Sequence, residues 1–83
     1  MFINISKDII IKTEDIIGIF NLDYIKNTKE YRNFFNNMID KKEIIKISNI
    51  EKTFILIKNK KGIKGYITNV SANTIGKRKN IVR

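Results

Sequence analysis

The sequence predicts an α+β fold, with a small mostly antiparallel or mixed sheet, one packed amphipathic helix and a short C-terminal helix. Three observations lead to this prediction. β-Branched residues dominate several short apolar runs, and 20 of the 83 residues are Ile. Only one stretch, residues 28–40, repeats its apolar residues at helical spacing. Turn-forming residues separate the runs, which gives the order β-β-β-α-β-β-β-α.

The first 20 residues are predicted to form three strands. Residues 2–5 and 9–12 are short apolar runs on either side of a Ser-Lys-Asp turn, a pattern typical of a hairpin. Residues 16–20 follow an acidic interruption at residues 13–15. Because this third run is almost continuously apolar, it indicates a strand that is buried on both faces.

Residues 28–40 have the clearest helical pattern. The apolar positions at i, i+3, i+4, i+7 and i+8 are Tyr31, Phe34, Phe35, Met38 and Ile39. Asn27 is placed to cap the helix, with Glu30 three residues later as in a capping box. At this spacing the two phenylalanines are interpreted as core residues.

The rest of the chain is predicted to form three more strands and a short helix. The strands are residues 43–48, 53–59 and 63–70. The last two strands are joined by the tight turn Lys60-Lys61-Gly62. Ser71 caps a short helix over residues 71–78, and residues 79–83 form a flexible tail. The chain is therefore interpreted as one domain, residues 1–78, with a short C-terminal extension.

Composition excludes several classes of chemistry. The absence of Cys and His excludes disulfides, thiolate nucleophiles and Cys/His metal sites. The glycines form no phosphate-binding fingerprint, and the only adjacent carboxylates, Glu14 and Asp15, are interpreted as a solvated turn. We therefore expect no enzymatic activity, no cofactor and no small-molecule substrate.

The N-terminal residues do not match a secretory signal. They have no basic region before an apolar stretch, and no apolar run approaches the roughly 18 residues of a membrane span. The sequence therefore predicts a cytoplasmic protein without a membrane partner.

The positive charge lies in the second half of the chain. Net charge is +9, but residues 1–40 contain five basic and six acidic residues, whereas residues 41–83 contain twelve basic and two acidic residues. Codon bias toward Lys acts on both halves alike, so this asymmetry indicates an anionic partner for the second half. The candidate DNA-binding residues are Lys52, Lys58, Lys60, Lys61, Lys64 and Arg78. Double-stranded DNA held through its phosphates is the leading partner, and an acidic protein bound without DNA is the alternative.

Three blocks of sequence, taken in order, resemble a known family. They are Phe2-Ile3-Asn4-Ile5, Asp15-Ile16-Ile17-Gly18-Ile19-Phe20 and Ser71-Ala72-Asn73-Thr74-Ile75-Gly76-Lys77-Arg78. The set is similar to the bacterial extracellular matrix regulators RemA and RemB, and more closely to the RemB branch. The resemblance implies transcriptional regulation of biofilm-matrix genes by a DNA-binding homo-oligomer, which is ring-shaped in the RemA branch.

The resemblance also implies where DNA is contacted. The DNA-binding branch has functional arginines on the turn before the strand at residues 53–59, and another at the position of Asp15. Here that turn reads Asn49-Ile50-Glu51-Lys52-Thr53. Lys52 and Arg78 are the two residues to which the family's DNA-contacting role carries over. The alternative role for Arg78 is to support the fold or a subunit contact. The abundance of Ile in so small a domain is a separate reason to expect self-association, since part of the apolar area should face a neighbour.

Overall fold

The computed structural model of the chain describes residues 2–6, 9–41 and 43–81, and for residue 6 and residues 78–81 it describes the backbone alone. The elements in chain order are β1 (Phe2–Ser6), β2 (Ile9–Lys12), a 3-10 turn (Thr13–Asp15), β3 (Ile16–Asn21), α1 (Leu22–Ile25), α2 (Lys29–Asp40), β4 (Ile44–Lys46), β5 (Thr53–Asn59), β6 (Gly62–Thr68) and α3 (Ala72–Ile81). The predicted α+β fold class, with one longer helix and a short C-terminal helix, is confirmed.

The strands form two sheets. β1 and β2 make an antiparallel hairpin, and the other four strands lie in the order β3-β5-β6-β4. β5 is antiparallel to both of its neighbours, whereas β4 is parallel to β6, so the larger sheet is mixed. The 3-10 turn redirects the chain after β2, and β3 therefore pairs with β5 in the larger sheet while the β1–β2 hairpin packs against it.

Each face of the larger sheet has its own core. Successive side chains of β5 alternate between the faces. One face packs against the β1–β2 hairpin and α3, and its buried residues are Ile3, Ile5, Ile11, Ile55, Ile57 and Ile75. The other face packs against α1 and α2, and its buried residues are Leu22, Met38, Phe54 and Ile67. The larger sheet is thus a central layer between two outer layers that come from different parts of the sequence.

Two fully buried threonines tie the ends of strands together through their hydroxyls. The Thr68 hydroxyl donates to the Ile5 carbonyl at 3.2 Å and accepts from the Val70 backbone N–H at 3.2 Å. The Thr53 hydroxyl donates to the Val70 carbonyl at 2.6 Å. Because the Thr68 bond spans 63 positions of sequence, it ties β1 directly to the end of β6.

The helices differ from the prediction in their ends and exposure. α1 has no counterpart in the prediction; it begins after Asn21, whose side chain accepts from the Asp23 backbone N–H at 2.9 Å. The cap of α2 is Thr28, whose hydroxyl accepts from the Tyr31 backbone N–H, so the assignment of the cap to Asn27 is wrong. Within α2, Met38 is buried and Phe35 is half-buried, whereas Phe34, interpreted from its spacing as a core residue, is exposed, as is Ile39.

β3 is not buried on both faces, although its apolar sequence indicates that it should be. It lies at an edge of the larger sheet, and the Ile17 side chain is 55% exposed while Phe20 is also exposed. A register shift between Ile16 and Gly18 turns Ile17 out of the regular ladder. At the C-terminal end, α3 runs to Ile81, three residues into the segment predicted as a tail, and residues 82 and 83 lie outside the described residues.

No helix in the described part of the chain combines the length and the apolar character that crossing a membrane requires.

Candidate functional site

The turn between β5 and β6 presents two lysines at its tip. The Asn59 side chain accepts from the Lys61 backbone N–H at 2.8 Å. Gly62 follows with φ 121°, a backbone conformation that L side chains rarely adopt. Asn at the first position and Gly at the fourth are the preferences of a type I turn. Local chemistry alone therefore places Lys60 and Lys61 on an exposed hairpin end.

A groove of about 690 Å³ lies between this hairpin end and the β1–β2 hairpin. Its lining residues are Phe2, Ile10, Ile11, Lys12, Asp15, Ile57, Asn59, Lys60, Lys61, Lys64 and Tyr66. We call it the lysine groove, because Lys12, Lys60, Lys61 and Lys64 surround it, and Asp15 is the one carboxylate among its described lining residues. None of the four lysines is ion-paired with a described residue, so their charges are open to a partner.

Strand pairing explains why these lysines meet. Lys64 lies opposite Ile57, on the face of the sheet that packs against the β1–β2 hairpin. β3 begins opposite the same residue, Ile57, so the end of β2, one 3-10 turn earlier, lies near the hairpin end. This brings Lys12 to the groove. The division of charge by halves of the chain predicts that residues 1–40 contribute little to anion binding. The position of Lys12 at the end of a strand is the only sequence feature that points to this residue.

The other predicted DNA-binding residues lie elsewhere. Lys58 pairs with Ile63 and points to the opposite face of the sheet, where Lys41 and Glu43 line a separate depression with it. Lys52 precedes the other end of β5, about 26 Å from Lys60 at roughly 3.3 Å per strand residue. The side chain of Arg78 lies outside the described residues. The structure thus brings Lys60, Lys61 and Lys64 together and separates Lys58 and Lys52 from them.

The surroundings of Lys52 also differ from the groove. Its neighbour Glu51 is ion-paired with Lys46, with the Oε2–Nζ distance at 2.9 Å. The Lys52 backbone N–H donates to the Thr68 carbonyl at 3.1 Å, and the Leu22 backbone N–H donates to the Lys52 carbonyl at 3.0 Å. The main chain at this turn is therefore firmly held, but its local charge is nearly balanced.

A second, apolar groove of about 450 Å³ lies between α2 and the β3 side of the sheet. Tyr31 and Phe54 form part of it, and their ring centroids are 5.6 Å apart in an edge-on arrangement. Burial, together with the negative charge of Glu51, raises the pKa of Tyr31 to about 12. The lining is almost entirely apolar, so this groove offers no charged group for catalysis apart from Glu30 at its margin.

The comparisons with known proteins give no family for this chain: no protein-family model matches it, and a search of curated proteins finds no match. Among the described residues, no three acidic side chains come together in a way that could hold a metal ion. The lysine groove is therefore the candidate functional site on chemical grounds alone.

Proposed function

We propose that the chain is a DNA-binding transcriptional regulator that holds duplex DNA through the lysine groove. The observation that carries this proposal is the meeting of four lysines from two distant parts of the sequence, Lys12 and the β5–β6 hairpin, around one groove whose described lining residues include a single carboxylate. Lys attracts phosphate as a point charge and does not read base edges in a fixed geometry. The resemblance to regulators of biofilm-matrix genes supports the same function.

Phosphate-dominated binding has a calculable salt dependence. Each phosphate neutralised on duplex DNA contributes about 0.9 to the slope of log affinity against log salt concentration. With all four groove lysines engaged, the slope is about −3.6 per subunit, so affinity falls by about two orders of magnitude between about 50 and 200 mM salt. One subunit is then nearly indifferent to sequence, and specificity comes from several subunits that act on one site.

Fluorescence anisotropy on two unrelated duplexes across a salt series tests the proposal. The double charge reversal Lys60→Glu with Lys61→Glu should abolish binding to both duplexes. The matched control is Lys26→Glu with Lys29→Glu, which makes the same charge change at exposed positions near α2, on the other side of the sheet. The affinity of this control variant for both duplexes should fall only by the amount expected from the lower net charge of the protein.

The outcomes separate the two candidate functions. Equal losses in the two double variants would show that the groove is not the DNA site. A flat salt response would rule out phosphate-dominated binding. Absence of binding to any duplex even at low salt would favour the alternative, an interaction module whose basic surface meets an acidic protein.

The regulator is proposed to act as a homo-oligomer, ring-shaped if it follows the resembled family. The observation that supports self-association is the edge formed by β3. β3 is six residues long, contains no charged side chain and pairs only with β5 among the described strands. The opposite edge, β4, is three residues long and carries Lys46. Natural proteins protect edge strands with short length, charge and bulges. β3 has neither short length nor charge, and its register shift is confined to Ile17, so the regular part at residues 18–21 is the edge that is open to a second copy.

Sedimentation equilibrium at about 100 µM, well above the dissociation constant of a typical specific complex, tests this assembly. The wild-type chain should sediment as an oligomer and Ile17→Lys as a smaller species. Ile50→Lys makes the same change at a residue that is also more than half exposed but lies in the loop before β5, and it should assemble as wild type does. A monomeric wild-type chain would refute the assembly, and dissociation by both variants would refute the assignment to β3.

A further inference from the structure

The lysine groove contains exposed apolar and aromatic surface that duplex phosphates do not need. Phe2 is 59% exposed and Ile10 is 63% exposed, although both line the groove, and Tyr66 is half-buried beside them. Single exposed apolar residues are ordinary on a protein surface, but these two share one groove with four cations. The combination calls for a ligand with both negative charge and flat apolar faces.

Strand geometry pairs each aromatic ring with a lysine. Phe2 of β1 lies directly opposite Lys12 of β2, so the two side chains are neighbours on one face of the hairpin, with Cβ atoms about 5 Å apart. Lys64 and Tyr66 are two residues apart on β6 and also share a face. Both pairs line the groove. Each of the two walls of the groove, the β1–β2 hairpin and β6, therefore presents a lysine next to an aromatic ring.

Nucleic acid satisfies such pairs only where its bases are unstacked. In a duplex the faces of the bases are covered by their neighbours, so Phe2 and Tyr66 would have no base to contact. In a single strand each nucleotide offers a phosphate and a base face together, and proteins bind such strands with positively charged grooves and aromatic stacking platforms. The groove volume of about 690 Å³ is within the range of roughly 300–1,000 Å³ typical of pockets that hold a small ligand.

We propose that the lysine groove binds single-stranded nucleic acid, with a base stacked on Phe2 and the adjoining phosphate held by Lys12, and that it prefers this ligand to duplex DNA. The proposal deepens the proposed function and rests on one part of it, the attraction of nucleic-acid phosphates by the groove lysines, which is the same for a single strand and a duplex. A regulator with this groove would engage DNA most tightly where the duplex is opened.

The test compares a labelled single strand of about 12 nucleotides, within the length range that single-strand binding folds cover, with a duplex of the same sequence. Phe2→Ala should lower affinity for the single strand by about tenfold or more, which is the usual effect of removing one stacking ring, and leave duplex affinity unchanged. Tyr24→Ala is the matched control, because Tyr24 is 82% exposed on α1, which follows the end of β3 remote from the groove, and it should change neither affinity. Lys60→Gln with Lys61→Gln should weaken both complexes.

Each outcome decides a different proposal. If both ligands depend on the lysines but neither depends on Phe2, or if the duplex binds as tightly as the single strand, the single-strand inference is overturned and the proposed DNA function stands. If the single strand binds through Phe2 and the duplex does not bind at all, the inference stands and the duplex function falls. Absence of binding to either ligand at low salt overturns both. Circular dichroism of Phe2→Ala checks that the fold is unchanged, which its exposure predicts.

Discussion

Replacing Gly65 with Ala tests whether the core between the larger sheet and the helices α1 and α2 requires the close approach of β6 to Phe54. A Cβ atom at position 65 would lie 2.5 Å from Cε1 and 2.8 Å from Cζ of Phe54, and 3.0 Å from Cδ1 of Ile44. Ordinary contacts of this kind begin at 3.4 Å, so the ring must move by about 1 Å. Phe54 has little freedom to do so, because it is only 2% exposed and three other aromatic rings surround it.

The expected cost is that of an overpacked core. Gly65→Ala should lower the free energy of unfolding by about 1–3 kcal/mol, measured by urea denaturation followed by circular dichroism. Gly76→Ala is the control, because nothing lies within 4 Å of a Cβ added there and the residue is inside α3. That variant should gain about 0.5–1 kcal/mol, the usual advantage of Ala over Gly in a helix.

A double variant separates the steric cause from other effects of the substitution. Phe54→Leu removes the ring atoms that meet the new Cβ, so Gly65→Ala should cost clearly less in that background than in the wild type. If Gly65→Ala stays within about 0.5 kcal/mol of the wild type, or if its cost is the same in the Phe54→Leu background as in the wild type, the steric argument is refuted.

Two further predictions concern buried polar groups. Thr68→Val keeps the side-chain shape but leaves the Ile5 carbonyl and the Val70 N–H without this hydroxyl, so it should cost about 1–3 kcal/mol in the same urea assay, whereas Thr68→Ser, which keeps the hydroxyl, should cost about 1 kcal/mol. A Val variant as stable as the Ser variant would contradict this assignment. For Tyr31, the folded pKa of about 12 exceeds the ordinary value of about 10, so its contribution to stability is fully present below pH 10 and is lost as pH rises toward 12. Between these values the unfolding free energy of the wild type should fall with pH more steeply than that of Tyr31→Phe, and the difference in slope should correspond to at most one proton released on unfolding. Parallel slopes would show that the pKa of the phenol is not perturbed.

Local chemistry was enough to predict most elements of this chain. The Asn-Lys-Lys-Gly turn, the spacing of apolar residues in α2 and the apolar strand runs each act within a few residues, and the structure contains the corresponding turn, helix and strands. The faces of the charged residues depend on the length of the turn. The observed two-residue turn puts Lys58 and Lys64 on opposite faces of the hairpin, whereas the three-residue turn predicted from the sequence, Lys60-Lys61-Gly62, would have paired them on one face.

Pairing between distant strands decided the rest. The apolar run in β3 is compatible with a central or an edge strand, and only its pairing with β5 alone makes it an edge. The charge of residues 1–40 is negative overall, yet Lys12 joins the lysines of the β5–β6 hairpin because β3 starts opposite Ile57. The sequence determines which side chains of a strand share a face, because successive side chains alternate between the two faces. Which element covers that face depends on contacts across about 40 positions of sequence, and these form only when the sheet assembles.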